Sequence, residues 1–270
     1  MTQVEQLTVG VLALQGAFSE HIQLLRKAAV TLNAGGATAQ WKFTEVRTAE
    51  ELASCDALIV PGGESTAISL VAARNGLLDN LRDFVKVKRK PTWGTCAGLI
   101  LLAESANRTK KGGQELIGGL DVRVNRNHFG RQTESFTTNI ELPFLSSLPE
   151  GNIPYHAIFI RAPVVEKILP HVEGIQTKEA ERDDTVVAPS LQPEEQVPRD
   201  LINTEVEVMA SLIRTEKHPG TVQPNETSSG GDIIAVRQGN CFGTSFHPEL
   251  TDDPRIHVWW LQEILQTLHK

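Results

Sequence analysis

The first hydrophobic run of the chain, Leu7 to Leu14 (LTVGVLAL), is apolar on both faces, as a strand buried inside a parallel sheet must be. Gln15-Gly16 interrupts it, and Ala17 to Ala29 then carries Ile22, Leu25 and Ala29 at helical spacing. The same succession recurs twice. Ala57 to Pro61 (ALIVP) leads into the turn Gly62-Gly63-Glu64-Ser65 and a helix from Thr66, and Pro91 to Thr95 (PTWGT) leads into Cys96 and a helix over Ala97 to Ala103. Three strands that each feed a helix predict an α/β fold with a three-layer, doubly wound, mostly parallel open sheet. Such sheets bind ligands at the carboxyl ends of their strands. All three turns fall there.

The second half is richer in strand patterns. Val122 to Arg126, Glu134 to Ile140, Ala157 to Ile160, Glu207 to Ile213, Ile233 to Arg237 and Cys241 to Ser245 are candidates. An amphipathic helix, Pro254 to Leu268, closes the chain with Val258, Leu261, Ile264, Leu265 and Leu268. Between Gly174 and Asp200 the pattern fails. Counting Glu173, this stretch holds eight acidic and three basic residues, which is five of the seven net negative charges. Its three prolines and few large apolar residues predict a disordered or loosely held loop. Thr215 to Gly231 (TEKHPGTVQPNETSSGG) predicts a second extended loop. Neither stretch resembles a domain and no internal repeat occurs. The 270 residues therefore read as one domain, 1–270, with flexible insertions at about 167–204 and 215–231.

A net charge of −7, with one short basic cluster at Lys86 to Lys90, argues against a nucleic-acid binder. No apolar run approaches the roughly 20 residues of a membrane span. The N-terminus shows no basic and then apolar signal pattern. Three cysteines cannot all pair, and none stands at metal-ligand spacing from another. The expectation is a cytoplasmic protein with no metal, in which an unpaired cysteine is core filler or a working thiol.

Residue type alone favours core filler for Cys96. Its setting, Gly94-Thr95-Cys96-Ala97-Gly98 at a strand-to-helix turn, reverses that preference. Small residues two before and two after a nucleophile are what a sharp elbow needs, and the amides of the following helix favour a thiolate. Cys55 and Cys241 lie in apolar strand-like contexts and read as core. A thiol nucleophile needs a base, and the base an orienting partner. His247-Pro248-Glu249, at the end of a strand candidate, supplies both, the i, i+2 spacing of extended chain putting the two side chains on one side. The other histidines, His21, His128, His156, His171, His218, His257 and His269, lack a nearby elbow or strand-end carboxylate and read as structural or solvated. Gly62-Gly63 leaves backbone N–H groups unobstructed, and Ala97 offers a second amide for an oxyanion.

PGGEST at Pro61 to Thr66, GTCAG at Gly94 to Gly98 and SFHPE at Ser245 to Glu249 resemble the class I, triad-type glutamine amidotransferases, whose sheet is of the flavodoxin-like type. LQGAFSEH at Leu14 to His21, FGRQTESF at Phe129 to Phe136, FIRAP at Phe159 to Pro163 and HPELT ending at Thr251 narrow the resemblance to the glutaminase subunits of pyridoxal 5′-phosphate synthases. It implies that Cys96 forms a γ-glutamyl thioester, with His247 and Glu249 completing the triad. It assigns Gly63, Glu64 and Ser65, with Arg131, Ile160 and Arg161, to the L-glutamine pocket, and Gln15-Gly16 to the oxyanion hole. It implies a hetero-oligomeric complex with a synthase subunit that receives the ammonia. Pyridoxal phosphate is then a product, and the chain itself needs no cofactor. Another triad amidotransferase and a non-catalytic scaffold are the competing readings. FGRQ and IRAP count against the first, and the intact triad against the second.

Overall fold

The computed structural model describes residues 6–35, 39–107, 114–126, 135–172, 174–202, 204–213 and 231–268. The strands among them are β1 (Gln6–Leu12), β2 (Gln40–Val46), β3 (Ala57–Val60), β4 (Thr92–Thr95), β5 (Ala103–Asn107), β6 (Leu120–Asn125), β7 (Ser135–Ile140), β8 (Tyr155–Ile160), β9 (Val164–Ile168), β10 (Thr185–Val187), β11 (Glu207–Leu212), β12 (Asp232–Gln238) and β13 (Cys241–Thr244). The α-helices are α1 (Phe18–Ala34), α2 (Ala49–Ala53), α3 (Ser65–Arg74), α4 (Leu78–Arg82), α5 (Ala97–Leu102), α6 (Thr177–Ala180), α7 (Arg199–Ile202) and α8 (Arg255–Leu268).

Strands β2, β1, β3, β4 and β13 lie side by side in that order, every pair parallel. This is the doubly wound order with its switch point between β1 and β3. Beyond β13 the sheet continues through β12, β9 and β6 in antiparallel pairs, because β12 and β13 form a hairpin across Gly239 and Asn240. β5 pairs parallel with β6, β10 closes that edge antiparallel, and β11 pairs with β12. β7 and β8 form a separate antiparallel ribbon.

The double-sided apolar pattern of the central strands is explained by helices on both faces. Along β3, Ala57 and Ile59 join the core beneath α1 and α8, whereas Leu58 and Val60 join the core beneath α3, α4 and α5. Trp93 of β4 is fully buried on the first side, its indole N–H donating to Thr244 Oγ1 at 3.2 Å. Phe242, His257 and Trp260 pack around it and dock α8. The edge strand β2 escapes a reading by periodicity. It is only half buried, Glu45 ends the side that Trp41 and Phe43 form by stacking, and Lys42 and Thr44 make the opposite side polar.

The acidic stretch departs from the loop expected of it. Within 174–202 the chain forms α6, β10 and α7, and β10 pairs with β5. One of its carboxylates, Glu179, serves a buried cation. Arg123 on β6 donates from Nη1 to Glu179 at 2.7 Å and to Thr185 Oγ1 at 2.8 Å, and Ser105 Oγ donates to Glu179 at 2.9 Å. A guanidinium in a strand interior needs a carboxylate, and this one comes from the stretch whose composition predicted a loosely held loop. Apart from Gly231, the stretch 215–231 lies outside the described residues.

Removing Glu179 leaves the buried Arg123 with the neutral hydroxyls of Ser105 and Thr185 and, as carboxylates, only the more distant and more exposed Glu166 and Asp184. Glu179→Ala is expected to cost about 3 kcal/mol of unfolding free energy in urea titration. Glu166→Ala, at the exposed end of the same network, is expected to cost about 1 kcal/mol or less.

Candidate active site

Four neighbouring parallel strands, β1, β3, β4 and β13, end in the loops that carry Gln15-Gly16, Gly62-Gly63, Cys96 and His247. β4 passes into α5 with Cys96 as the single joining residue, at φ +48° and ψ −101°. A residue with a side chain costs about 1–3 kcal/mol in that region, so its surroundings must impose it. Cys96 N–H donates to the Thr244 carbonyl at 2.8 Å, holding the elbow to β13. A Cβ on Gly94 would lie 2.4 Å from the Gly98 carbonyl carbon, and one on Gly98 2.0 Å from the Val60 carbonyl oxygen. Both glycines are therefore required by contact, as the elbow argument expects.

His247 follows β13 and donates its own N–H to the Ile158 carbonyl of β8 at 2.9 Å. Pro248 opens a 3-10 turn, Pro248–Leu250, so the side chains of His247 and Glu249 meet across a turn instead of along extended chain. His247 Nδ1 lies 2.7 Å from Glu249 Oε1, and both side chains are buried. Nε2 has no hydrogen-bond partner among the described residues. Burial acts to lower the ring's pKa, but the Cys96 side chain and then the Glu249 carboxylate outweigh it and push it up to about 10. Burial likewise acts to raise Glu249, and the neighbouring His21 and His247 hold it below its ordinary value. Gly62 packs against this group so closely that a Cβ there would lie 2.4 Å from His247 Cε1 and 3.4 Å from Cys96 Cβ.

On the other side of the thiol, the Ile160 carbonyl lies 3.9 Å from Cys96 Sγ. Arg161 follows, exposed and at φ +44°. Glu64 caps α3, its carboxylate accepting from Thr66 N–H at 3.0 Å and Ala67 N–H at 2.7 Å. Its backbone N–H donates to Gln15 Oε1 at 2.9 Å, which ties the β1 loop to the β3 loop. Arg126, just past β6, donates from Nη2 to Ser65 Oγ at 2.9 Å and lies 3.6 Å from Glu64 Oε1. Burial lowers its pKa, with Glu64 opposing.

The model of the SNO glutamine amidotransferase family matches residues 11–197 and 199–266. The chain belongs to that family. It is 40% identical to a probable pyridoxal 5′-phosphate synthase subunit PDX2 of Arabidopsis thaliana, over 95% of this chain and 85% of the relative. It is 36% identical to the pyridoxal 5′-phosphate synthase subunit PdxT of Herpetosiphon aurantiacus, over 94% of this chain and 99% of the relative. A crystal structure of a glutamine amidotransferase shares 35% identity and a TM-score of 0.60, covering 95% of this chain and 98% of that one.

For this SNO family member, most residues singled out by sequence converge. His247, Gly62, Ala97 and Ile160 lie around the Cys96 thiol, Glu249 backs His247, and Gln15 and Gly16 pack on the Gly62-Gly63 turn. Glu64 and Ser65 adjoin through the α3 cap. Arg131 lies outside the described residues. The guanidinium that meets Ser65 belongs to Arg126, which periodicity had counted as the last residue of a strand. The one available signal was its position at a strand end, where functional side chains of this fold gather.

The titration of His247 is a direct check. NMR should show its ring protonated up to about pH 10. Cys96→Ala removes the largest interaction that raises it, so the value should fall toward 6.5.

Proposed function

We propose that the chain hydrolyses L-glutamine to L-glutamate and ammonia, and passes the ammonia to a separate synthase subunit that makes pyridoxal 5′-phosphate. The observation that carries this reading is the thiol at a strand-end elbow beside a buried imidazole–carboxylate pair, in a chain of the SNO glutamine amidotransferase family. The likeness to pyridoxal 5′-phosphate synthase subunits supports the destination of the ammonia.

In this reading Cys96 Sγ attacks the side-chain amide carbon of glutamine, and His247 gives its proton to the departing nitrogen, which leaves as ammonia. His247 then takes a proton from water, and the resulting hydroxide opens the thioester to glutamate and the free thiol. Glu249 orients the ring and stabilises its charged form. The amides of Gly62, Gly63 and Ala97, with the Gln15-Gly16 loop, receive the developing oxyanion. The loop Gly63-Glu64-Ser65 and the rim residues Ile160 and Arg161 enclose the amino-acid end of the substrate. Arg126 meets its carboxylate, since a planar guanidinium pairs with a carboxylate through two hydrogen bonds and this one already borders Ser65. Arg131 is the second arginine that this role admits. The reaction runs in the reducing cytoplasm, in keeping with three cysteines that are all free.

Glutamate release, measured with and without the purified synthase subunit, tests the reading. No glutamate in either case, or stimulation only by some other synthase, overturns it. Cys96→Ala is expected to lower the rate by about a thousandfold or more. Arg126→Ala is expected to raise KM for glutamine about 10- to 100-fold, with a smaller effect on kcat.

A further inference from the structure

Behind the His247–Glu249 pair lie two histidines that no step above uses. His21, early in α1, and His257, in α8, are both fully buried. His21 Nδ1 lies 3.0 Å from His257 Nε2. His21 Nε2 lies 3.3 Å from Thr95 Oγ1 and 3.4 Å from Glu249 Oε2. Glu249 Oε2 is buried and makes no hydrogen bond among the described residues, His21 Nε2 standing 3.4 Å from it in ion-pair range, and His257 Nδ1 likewise has no partner.

One arrangement of protons suits these contacts. Burial pushes both rings down to about 3, so each is neutral near pH 7 and carries a single ring proton. With the His21 proton on Nε2, that N–H faces Glu249 Oε2 and Thr95 Oγ1, and the bare Nδ1 accepts from His257 Nε2–H. The unpartnered atom, His257 Nδ1, is then a lone pair. The opposite tautomers would turn a lone pair toward the carboxylate and bury an N–H of His257 with no acceptor. A buried unpaired N–H is the rarer and costlier defect, and a carboxylate in a dry site needs its donors.

We infer that His21 is a positioning residue of the active site: its Nε2–H holds the second oxygen of Glu249, and His257 fixes the tautomer that makes this possible. A chain of polar contacts thus runs from α8 through α1 to the turn after β13 and on toward Cys96. With a donor beside each oxygen, Glu249 is restrained from rotating away from His247. Because His21 is uncharged it orients the carboxylate without competing with the His247 imidazolium for its charge. The other ionisable groups facing Glu249 are His247, Cys96 beyond it, and Tyr155, whose hydroxyl is engaged with Thr251 at 3.0 Å.

The kinetic consequence rests on the glutaminase reading above, so the test has one arm that depends on it and one that does not. In glutamate release by the full chain, His21→Leu should lower kcat about tenfold or more with KM for glutamine within about twofold of wild type. His21→Gln, whose amide nitrogen can occupy the place of Nε2, should recover most of that loss. In the ¹⁵N-histidine NMR spectrum of the unmodified chain, His21 and His257 should both appear as neutral Nε2–H tautomers near pH 7. A wild-type kcat in His21→Leu, an equal loss in both variants, or an Nδ1–H tautomer at His21 overturns the inference. Should His21→Leu fail to fold, His21→Gln at near wild-type kcat together with the tautomer spectrum decides. If the wild-type chain releases no glutamate, the glutaminase reading fails alone, and the spectrum still decides the chain of polar contacts.

Discussion

The close approach of α5 to β3, with Gly98 seated against the Val60 carbonyl, leaves no room for a side chain between helix and sheet. Because α5 begins immediately after β4, this contact dictates where and how sharply the chain must turn, and Cys96 takes the strained conformation that results. The Thr244 carbonyl then anchors the elbow to β13. Since β13 ends in the turn bearing His247, one short approach sets the distance between thiol and imidazole as well. The first-half β-α units place Gly62 against both of them. Packing and chemistry are here the same constraint.

The charge that faces each thiol, more than its burial, separates the three cysteines. Cys55 and Cys241 are pushed up to about 11 and about 12, chiefly by desolvation, and so remain neutral thiols of the core. Cys96 is buried almost as well but faces a ring that retains its proton. What distinguishes it is the charge arranged opposite it. The same rule operates at Arg123, where Glu179, Ser105 and Thr185 satisfy a cation inside the sheet. Ionic groups in this protein are buried as networks, each member accounting for the desolvation of another.

The loops that complete the site are bound to one another before any substrate arrives. Gln15 Oε1 accepts from Glu64 N–H, and Gly16 lies against the Gly62 carbonyl. The carboxylate of Glu64 is engaged in capping α3 and borders Arg126. A shift of the β1 loop is therefore felt at the glycine turn beside the thiol, and through His21 at the carboxylate behind it.

Local signals were enough for the three β-α units, the glycine-flanked Cys96 and the His247-Pro248-Glu249 turn. Strand alternation, turn glycines and a proline act over a few neighbouring residues, so they are written where they operate. The strands β2, β5 and β9, the antiparallel pairing of the second half and the elements within 174–202 were not legible, since each depends on what lies alongside in space. The same holds for Arg126, read as a strand residue, and for His21 and His257, read as structural or solvated. His21 and His257 stand 236 residues apart, and their hydrogen bond exists because α1 and α8 cover the same face of the sheet. The chain by itself determined the candidate thiol, imidazole and carboxylate, because their signals are local. Tertiary packing alone decided which of the remaining polar groups are buried together, because desolvation belongs to a place in the fold and to no stretch of sequence.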